Sequence, residues 1–164
     1  MEPNRSNNHK WKVVFSWIIV FIWAVGIFLS SAQPAQVSGA NSKGIVRRVV
    51  EAAERTKLIA AGISKDQNLL SQWDHYFRKS THFTVYLILA LLLVNAFSRS
   101  GFRGRKLYAF SFALCAIYAV SDEFHQLFVP GRGAQVRDVL IDCAGALLGL
   151  LVCWIREKRT GINN

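Results

Sequence analysis

The sequence predicts an all-α integral membrane bundle of four transmembrane helices. Three observations carry this: four long runs almost free of charge, bases gathered at the ends of those runs, and apolar character that goes right round the predicted helices. A soluble four-helix bundle keeps a polar outer face, which Val13–Leu29 and Tyr86–Val94 lack. The composition agrees, with 52% apolar and 18% charged residues in 164. A disordered chain would be poorer in apolar residues, and a disulfide scaffold would need many more than three cysteines. The net charge of +10 would suit a nucleic-acid binder only if the bases shared a polar face. They do not, and no nucleic acid is expected as a partner.

The first run, Val13 to Leu29, is 17 residues without a charge. A spanning helix needs about 20 predominantly apolar residues, with a range of about 17–25. Ser30-Ser31-Ala32 after it offers a small-residue cleavage site. Signal-peptide cores run only about 7–15 residues, so an uncleaved anchor over about 13–30 is favoured. The next segment, about 31–78, opens with the loop signals Pro34 and Gly39. A helix is expected over Ile45–Ile63, with Ile45, Val49, Ala52, Ala53 and Ile59 on one face. It could lie on a membrane surface or pack over the mouth of the bundle; the pattern alone does not separate these.

The second span is expected over about 80–98, where 19 residues lack Lys, Arg, Asp and Glu. The third run, Leu107–Ser121, has 15 residues, which rise only about 22 Å in a core about 30 Å thick. It must continue to about residue 126, drawing Asp122 and Glu123 into the membrane. The fourth span covers about 138–155. All 164 residues are expected to form a single membrane domain. Lys and Arg set the orientation. Arg5, Lys10, Lys12, Arg99, Arg103, Arg105, Lys106, Arg156, Lys158 and Arg159 crowd three short segments on one side. That side is expected to be cytoplasmic, with both termini, and 31–78 extracytoplasmic. Trp11, Tyr108 and Trp154 mark the inner interface, Trp73 and Tyr76 the outer. Cys115, Cys143 and Cys153 fall within spans at no metal or disulfide spacing and read as small buried hydrophobes.

Charge inside a bilayer costs at least about 2.5–3.5 kcal/mol per group, so intramembrane acids need partners. Lys79, His82 and Tyr86 share a face of the second helix; Asp122, His125 and Gln126 share one on the third; Asp138 and Asp142 share one on the fourth. Arg132 and Arg137 flank the turn between the last two. Gly145 and Gly149 add a GxxxG spacing that permits close helix approach. Polar groups from three helices thus converge at one end of the bundle.

These residues resemble the VanZ-like family of small bacterial membrane proteins. The matching pieces are Lys79-x-x-His82-Phe83-x-x-Tyr86, Asp122-Glu123-Phe124-His125-Gln126-x-Phe128-Val129-Pro130-Gly131-Arg132, and Arg137-Asp138-x-x-x-Asp142-x-x-Gly145. Ser30-Ser31-x-Gln33-Pro34 is also similar; Ser38–Trp73 matches nothing identifiable. The founding member is tied to low-level resistance to teicoplanin. The resemblance therefore implies an envelope role in a bacterial cytoplasmic membrane, and it implies no settled mechanism.

Three readings of the cluster stand. In the first, an enzyme acts on an envelope lipid or lipid-linked precursor. His125 would be the base, oriented by Asp122 or Asp138, with Glu123 or His82 as complementary acid. Lys79, Arg132 and Arg137 would hold phosphate, and Tyr86, Gln126, Asp138 and Asp142 would complete the site. No nucleophile stands out among Ser80, Thr81 and Thr84. In the second, the same residues bind a ligand without reaction. In the third, the charges form an ion-pair network that holds helices together. A metal is disfavoured because HExxH and tight ligand spacing are absent, and no cofactor is implied.

Overall fold

The computed structural model describes residues 4–60 and 62–160. Among them are five helices and no strand: α1 Asn4–Ser31, α2 Ala35–Arg55, α3 Gln67–Arg99, α4 Gly104–Gln126 and α5 Val136–Thr160. A single 3-10 turn, Ile63–Lys65, leads into α3. Four helices are long and apolar enough to cross a membrane: Asn7–Ser31, Gln67–Arg99, Gly104–Gln126 and Val136–Arg159. Their outer surfaces fit that reading, since Phe15, Phe21, Ile117, Leu147 and Leu151 stand exposed. α4 does run on past Ser121, taking Asp122 and Glu123 into the helix.

α3 is the axis of the molecule. The Asp66 carboxylate caps its start, accepting from the amides of Asn68 (2.9 Å) and Leu69 (3.1 Å). Its end is closed by Gly101 at φ 94, with Phe102 N donating to Phe97 O and Gly101 N to Ser98 O. This is the left-handed glycine cap that satisfies the last carbonyls. Thirty-three residues rise about 50 Å, well beyond a hydrocarbon core of about 30 Å. The helix begins thirteen residues before the expected boundary at 80, so its first turns project from the bundle.

α2 runs back along that projection. Val46 and Val50 are buried against Leu70, with Ile59 and Ile63 at the edge of the cluster. The Glu54 carboxylate ties its far end, accepting from Ser64 N and Ser64 Oγ, both at 2.8 Å. Those hydrogen bonds hold the Glu54 carboxyl below its ordinary value. The near end is fixed where Ala35 N donates to Pro130 O at 3.1 Å. The sequence-based boundaries need correction: the helix starts at Ala35, ends at Arg55 and buries Val46 and Val50. Ile45 and Val49, of the apolar face expected from the sequence, are exposed. Of the expected Ile45–Ile63 helix, Ala61 lies outside the described residues. One face of α2 packs along α3, and the other carries the exposed Ile45 and Val49.

The main core joins Val20 and Ile27 of α1, Tyr86, Leu89, Ala90 and Leu93 of α3, Cys115 and Ala119 of α4, and Ala146 and Leu150 of α5. The closest crossing is α3 on α5. A Cβ at Gly145 would stand 2.1 Å from Phe83 O, and one at Gly149 would stand 2.7 Å from Leu87 O. Only glycine admits that backbone approach. At the opposite end from α2, Trp17 Nε1 donates to Ser100 Oγ (3.0 Å), Tyr108 OH donates to Glu157, and Lys158 lies 4.2 Å over the Trp154 ring. The three cysteines are free, with Cys115 in the core.

Candidate functional site

Because α3 starts at Gln67, His75, Arg78, Lys79 and His82 fall on one helical face at i, i+3, i+4 and i+7. Tyr86 continues that face inward and is fully buried. This face meets α1, the start of α2, and the α4–α5 loop around a cleft of about 700 Å³. Arg78, Lys79, His82, Arg132, Gln126 and Asp138 line its polar part; Ile22, Trp23, Ile27 and Val85 line its apolar part. Gly131, at φ 75, shapes the loop that carries Arg132. A Cβ on it would come within 3.2 Å of the Ala35 side chain.

Three polar pairings connect the helices. Lys79 of α3 forms an ion pair with Asp138 of α5. His82 Nδ1 lies 3.3 Å from Asp142 Oδ1, an ion-pair approach without hydrogen-bond alignment. Ser31, the last residue of α1, donates from Oγ to Asp122 Oδ2 at 2.7 Å. Gln126 Nε2 lies 3.3 Å from the same carboxylate oxygen and 3.4 Å from Ser31 Oγ. Glu123 faces the loop instead, where its Oε2 accepts from Gln135 N at 2.8 Å.

Several buried atoms have no protein partner: Asp142 Oδ2, Asp122 Oδ1, Glu123 Oε1, Tyr86 OH and His125 Nε2. An unsatisfied buried polar group costs about 1–3 kcal/mol, and an uncompensated buried charge costs more. A scaffold built only for stability would close such groups off in pairs. Arg132 is half-buried, and its guanidinium makes no hydrogen bond or ion pair among the described residues. Burial pulls it below its ordinary value; Asp122 and Glu123 oppose that effect and Arg78 adds to it. Arg78 is held 3.6 Å from Asp74. Two guanidinium groups thus border the cleft, the side chain best matched to a phosphate or carboxylate.

The histidines separate. His82 lines the cleft beside its carboxylate. His125 does not line it: its ring stacks on Phe28 of α1 with centroids 4.4 Å apart, and no hydrogen bond joins it to Asp122 or Asp138. The observed histidine–carboxylate pair is His82–Asp142. Arg137 is exposed and stands outside the cleft. Asp142, Glu123 and Tyr86 are buried behind the cleft wall. Among the described residues, no three His, Cys, Asp or Glu side chains gather as metal ligands would.

The site expected from the sequence omitted Ser31 and Arg78, and it gave His75 no role beyond an interface position. Their signals were present. Arg78 and His75 complete the i, i+3, i+4, i+7 face once α3 is extended back to Gln67, and Ser31 ends a span at the level of the acids.

Residues 15–157 match a family model described as VanZ/LLP1. The chain belongs to this family. The match reaches from α1 to the last turns of α5 and contains every residue that lines the cleft. No curated protein and no solved structure matches the chain. This VanZ/LLP1 chain is therefore read from its own geometry: a cationic cleft, a buried acid cluster behind it, and an apolar wall that continues into a span.

Proposed function

We propose that this VanZ/LLP1 protein is a cell-envelope protein of the bacterial cytoplasmic membrane. Its cleft engages the anionic head of an envelope lipid or lipid-linked precursor, and this underlies tolerance to teicoplanin-type lipoglycopeptides. The basic end would face the cytoplasm, a side the Lys and Arg distribution favours, and the cleft would face outward. The observation that carries the reading is the mixed lining: Arg78, Arg132 and His82 at the polar part, Ile22, Ile27 and Val85 at the apolar part. Such a site matches an amphiphile and suits a wholly soluble or a wholly apolar ligand less well.

Two versions differ in whether a bond is broken. For catalysis, His82 stands where it could pass a proton, with Asp142 beside it. Ser31 has its hydroxyl held by the Asp122 carboxylate. For binding alone, the Thr81 and Thr84 hydroxyls are occupied: Thr81 donates to Phe77 O and Thr84 to Ser80 O. Nothing activates them as nucleophiles. The test is purified protein with a panel of polyprenyl phosphates and lipid-linked sugars. The reading expects binding that Arg132→Gln weakens, with turnover only if the catalytic version holds. Absence of both binding and turnover across the panel would overturn it.

A further inference from the structure

The cleft does not end at the polar groups. Its lining continues along α1 through Ser30, Ile27, Gly26, Trp23 and Ile22, a helical stretch that rises about 13 Å. These residues belong to a candidate span. Ile22, at 63% exposure, lines the cleft and also belongs to the outer surface of α1. On the facing side are Thr81 and Val85 of α3. The deep end is closed where Trp23 Nε1 donates to Val85 O at 3.0 Å. Gly26 is the notable position between these ends. It is exposed, and a Cβ built there meets nothing within 4 Å. A mid-helix glycine is unfavourable relative to alanine, and here no close helix contact explains it, unlike Gly145 and Gly149.

We propose that the α1–α3 groove is the chain subsite of the cleft: the anionic head lies at Arg78 and Arg132, and the hydrocarbon chain of the same ligand lies along Gly26 and enters sideways from the bilayer. The ligand class is a phosphate-headed amphiphile drawn from the membrane, not a soluble phosphate. Gly26 sets how much chain the groove admits. This rests on the head-binding reading above and extends it to the tail.

The charge and shape are consistent with that orientation. No Asp, Glu, Lys or Arg lies on α1 between Val13 and Ser31, so an apolar chain meets no charge there. The cationic groups sit at the polar end, where a head would be hydrated. A soluble phosphate would have no use for the apolar stretch.

The experiment uses the full chain in nanodiscs with three probes: a polyprenyl phosphate, the matching uncharged polyprenol, and inorganic phosphate. The variants are Gly26→Leu, which fills the groove, Gly44→Leu, which adds the same bulk at another open glycine on α2 away from the cleft lining, and Arg132→Gln. The expected result is about a tenfold or greater loss of polyprenyl phosphate binding in Gly26→Leu, equivalent to about 1.4 kcal/mol. Gly44→Leu should bind like wild type, and inorganic phosphate should bind much more weakly than the lipid. If Gly26→Leu binds the lipid as wild type does while Arg132→Gln does not, the groove inference falls and the head site stands. If inorganic phosphate matches the lipid, the chain contributes nothing and the groove inference falls as well. If Arg132→Gln changes nothing with any probe, the head-binding reading falls with it. Thermal stability measured in the same samples separates a blocked groove from a damaged fold: Gly26→Leu is expected to melt at or above wild type.

Discussion

The two faces of α3 are built to opposite ends. Toward α5, Gly145 and Gly149 bring backbone almost onto the backbone of Phe83 and Leu87, and Ala90 and Ala146 are fully buried in the core beside them. Toward α1, contact is made at separated points, Trp23 on Val85, Trp17 on Phe97 and Asn95 on Ser16, and a cleft of about 700 Å³ opens beyond Trp23. The charged residues follow this division. Asp142 rises from the packed crossing and meets His82 on the open side. One helix thus serves as structural spine on one face and as site wall on the other. Stability and function should accordingly respond to different substitutions.

The largest effect belongs to the packed face. Gly145→Val would place a side chain 2.1 Å from Phe83 O, which the rigid backbone cannot accommodate. Overpacking typically costs about 1–3 kcal/mol and occasionally more, and this contact lies at the upper end. The protein should fail to accumulate in membranes, as measured by quantitative immunoblotting. Normal amounts of a stable Gly145→Val protein would mean that the crossing is looser than described.

A smaller effect is expected where α2 packs on the projecting part of α3. Val50→Ala removes buried methyl groups from the Val46–Val50–Leu70 cluster and should cost about 1–2 kcal/mol. Because that cluster is separate from the main core, the loss should appear as faster hydrogen exchange in α2 with little change in α4 or α5. Uniform acceleration across all helices would show that the hairpin and bundle unfold as one unit.

The smallest effect is a pH dependence at the hairpin end. The Glu54 carboxyl is held below its ordinary value of 4.5 by the Ser64 amide and hydroxyl. A lowered folded value means the contribution is fully present above 4.5 and is lost as pH falls through the folded value. Protection of the α2 C-terminal amides, taken relative to their intrinsic exchange rate at each pH, should therefore fall in acid. Glu54→Gln should remove most of that dependence; an unchanged acid response in the variant would assign it elsewhere.

The spans were legible because hydropathy over about 20 residues is a strong signal, and the Gly145–Gly149 contact because its spacing has a direct geometric meaning. The helix boundaries near the cleft were not. Pro34 and Gly39 read as loop signals, yet Pro34 directly precedes α2 and Gly39 sits within it, since packing on α3 outweighs the propensity cost of glycine. Ile45, Val46, Val49 and Val50 form two adjacent apolar stripes, and the sequence does not say which is buried. At the site, residue types and helix faces were readable but not rotation. His125 shares a face with Asp122 by spacing, and in three dimensions it turns to Phe28. Ser31 carries no charge, and it stood out only as part of a small-residue cleavage pattern and of the Ser30-Ser31 similarity.

The most direct test of the account is Arg132→Gln. That side chain lines the cleft and makes no ion pair among the described residues, so its loss should leave the fold intact. Teicoplanin tolerance is measured in a susceptible bacterium that carries wild type or the variant, with membrane abundance measured alongside. Wild type should protect, and Arg132→Gln, present in equal amount, should not. Equal protection by both proteins would contradict the assignment of the cleft as the working site.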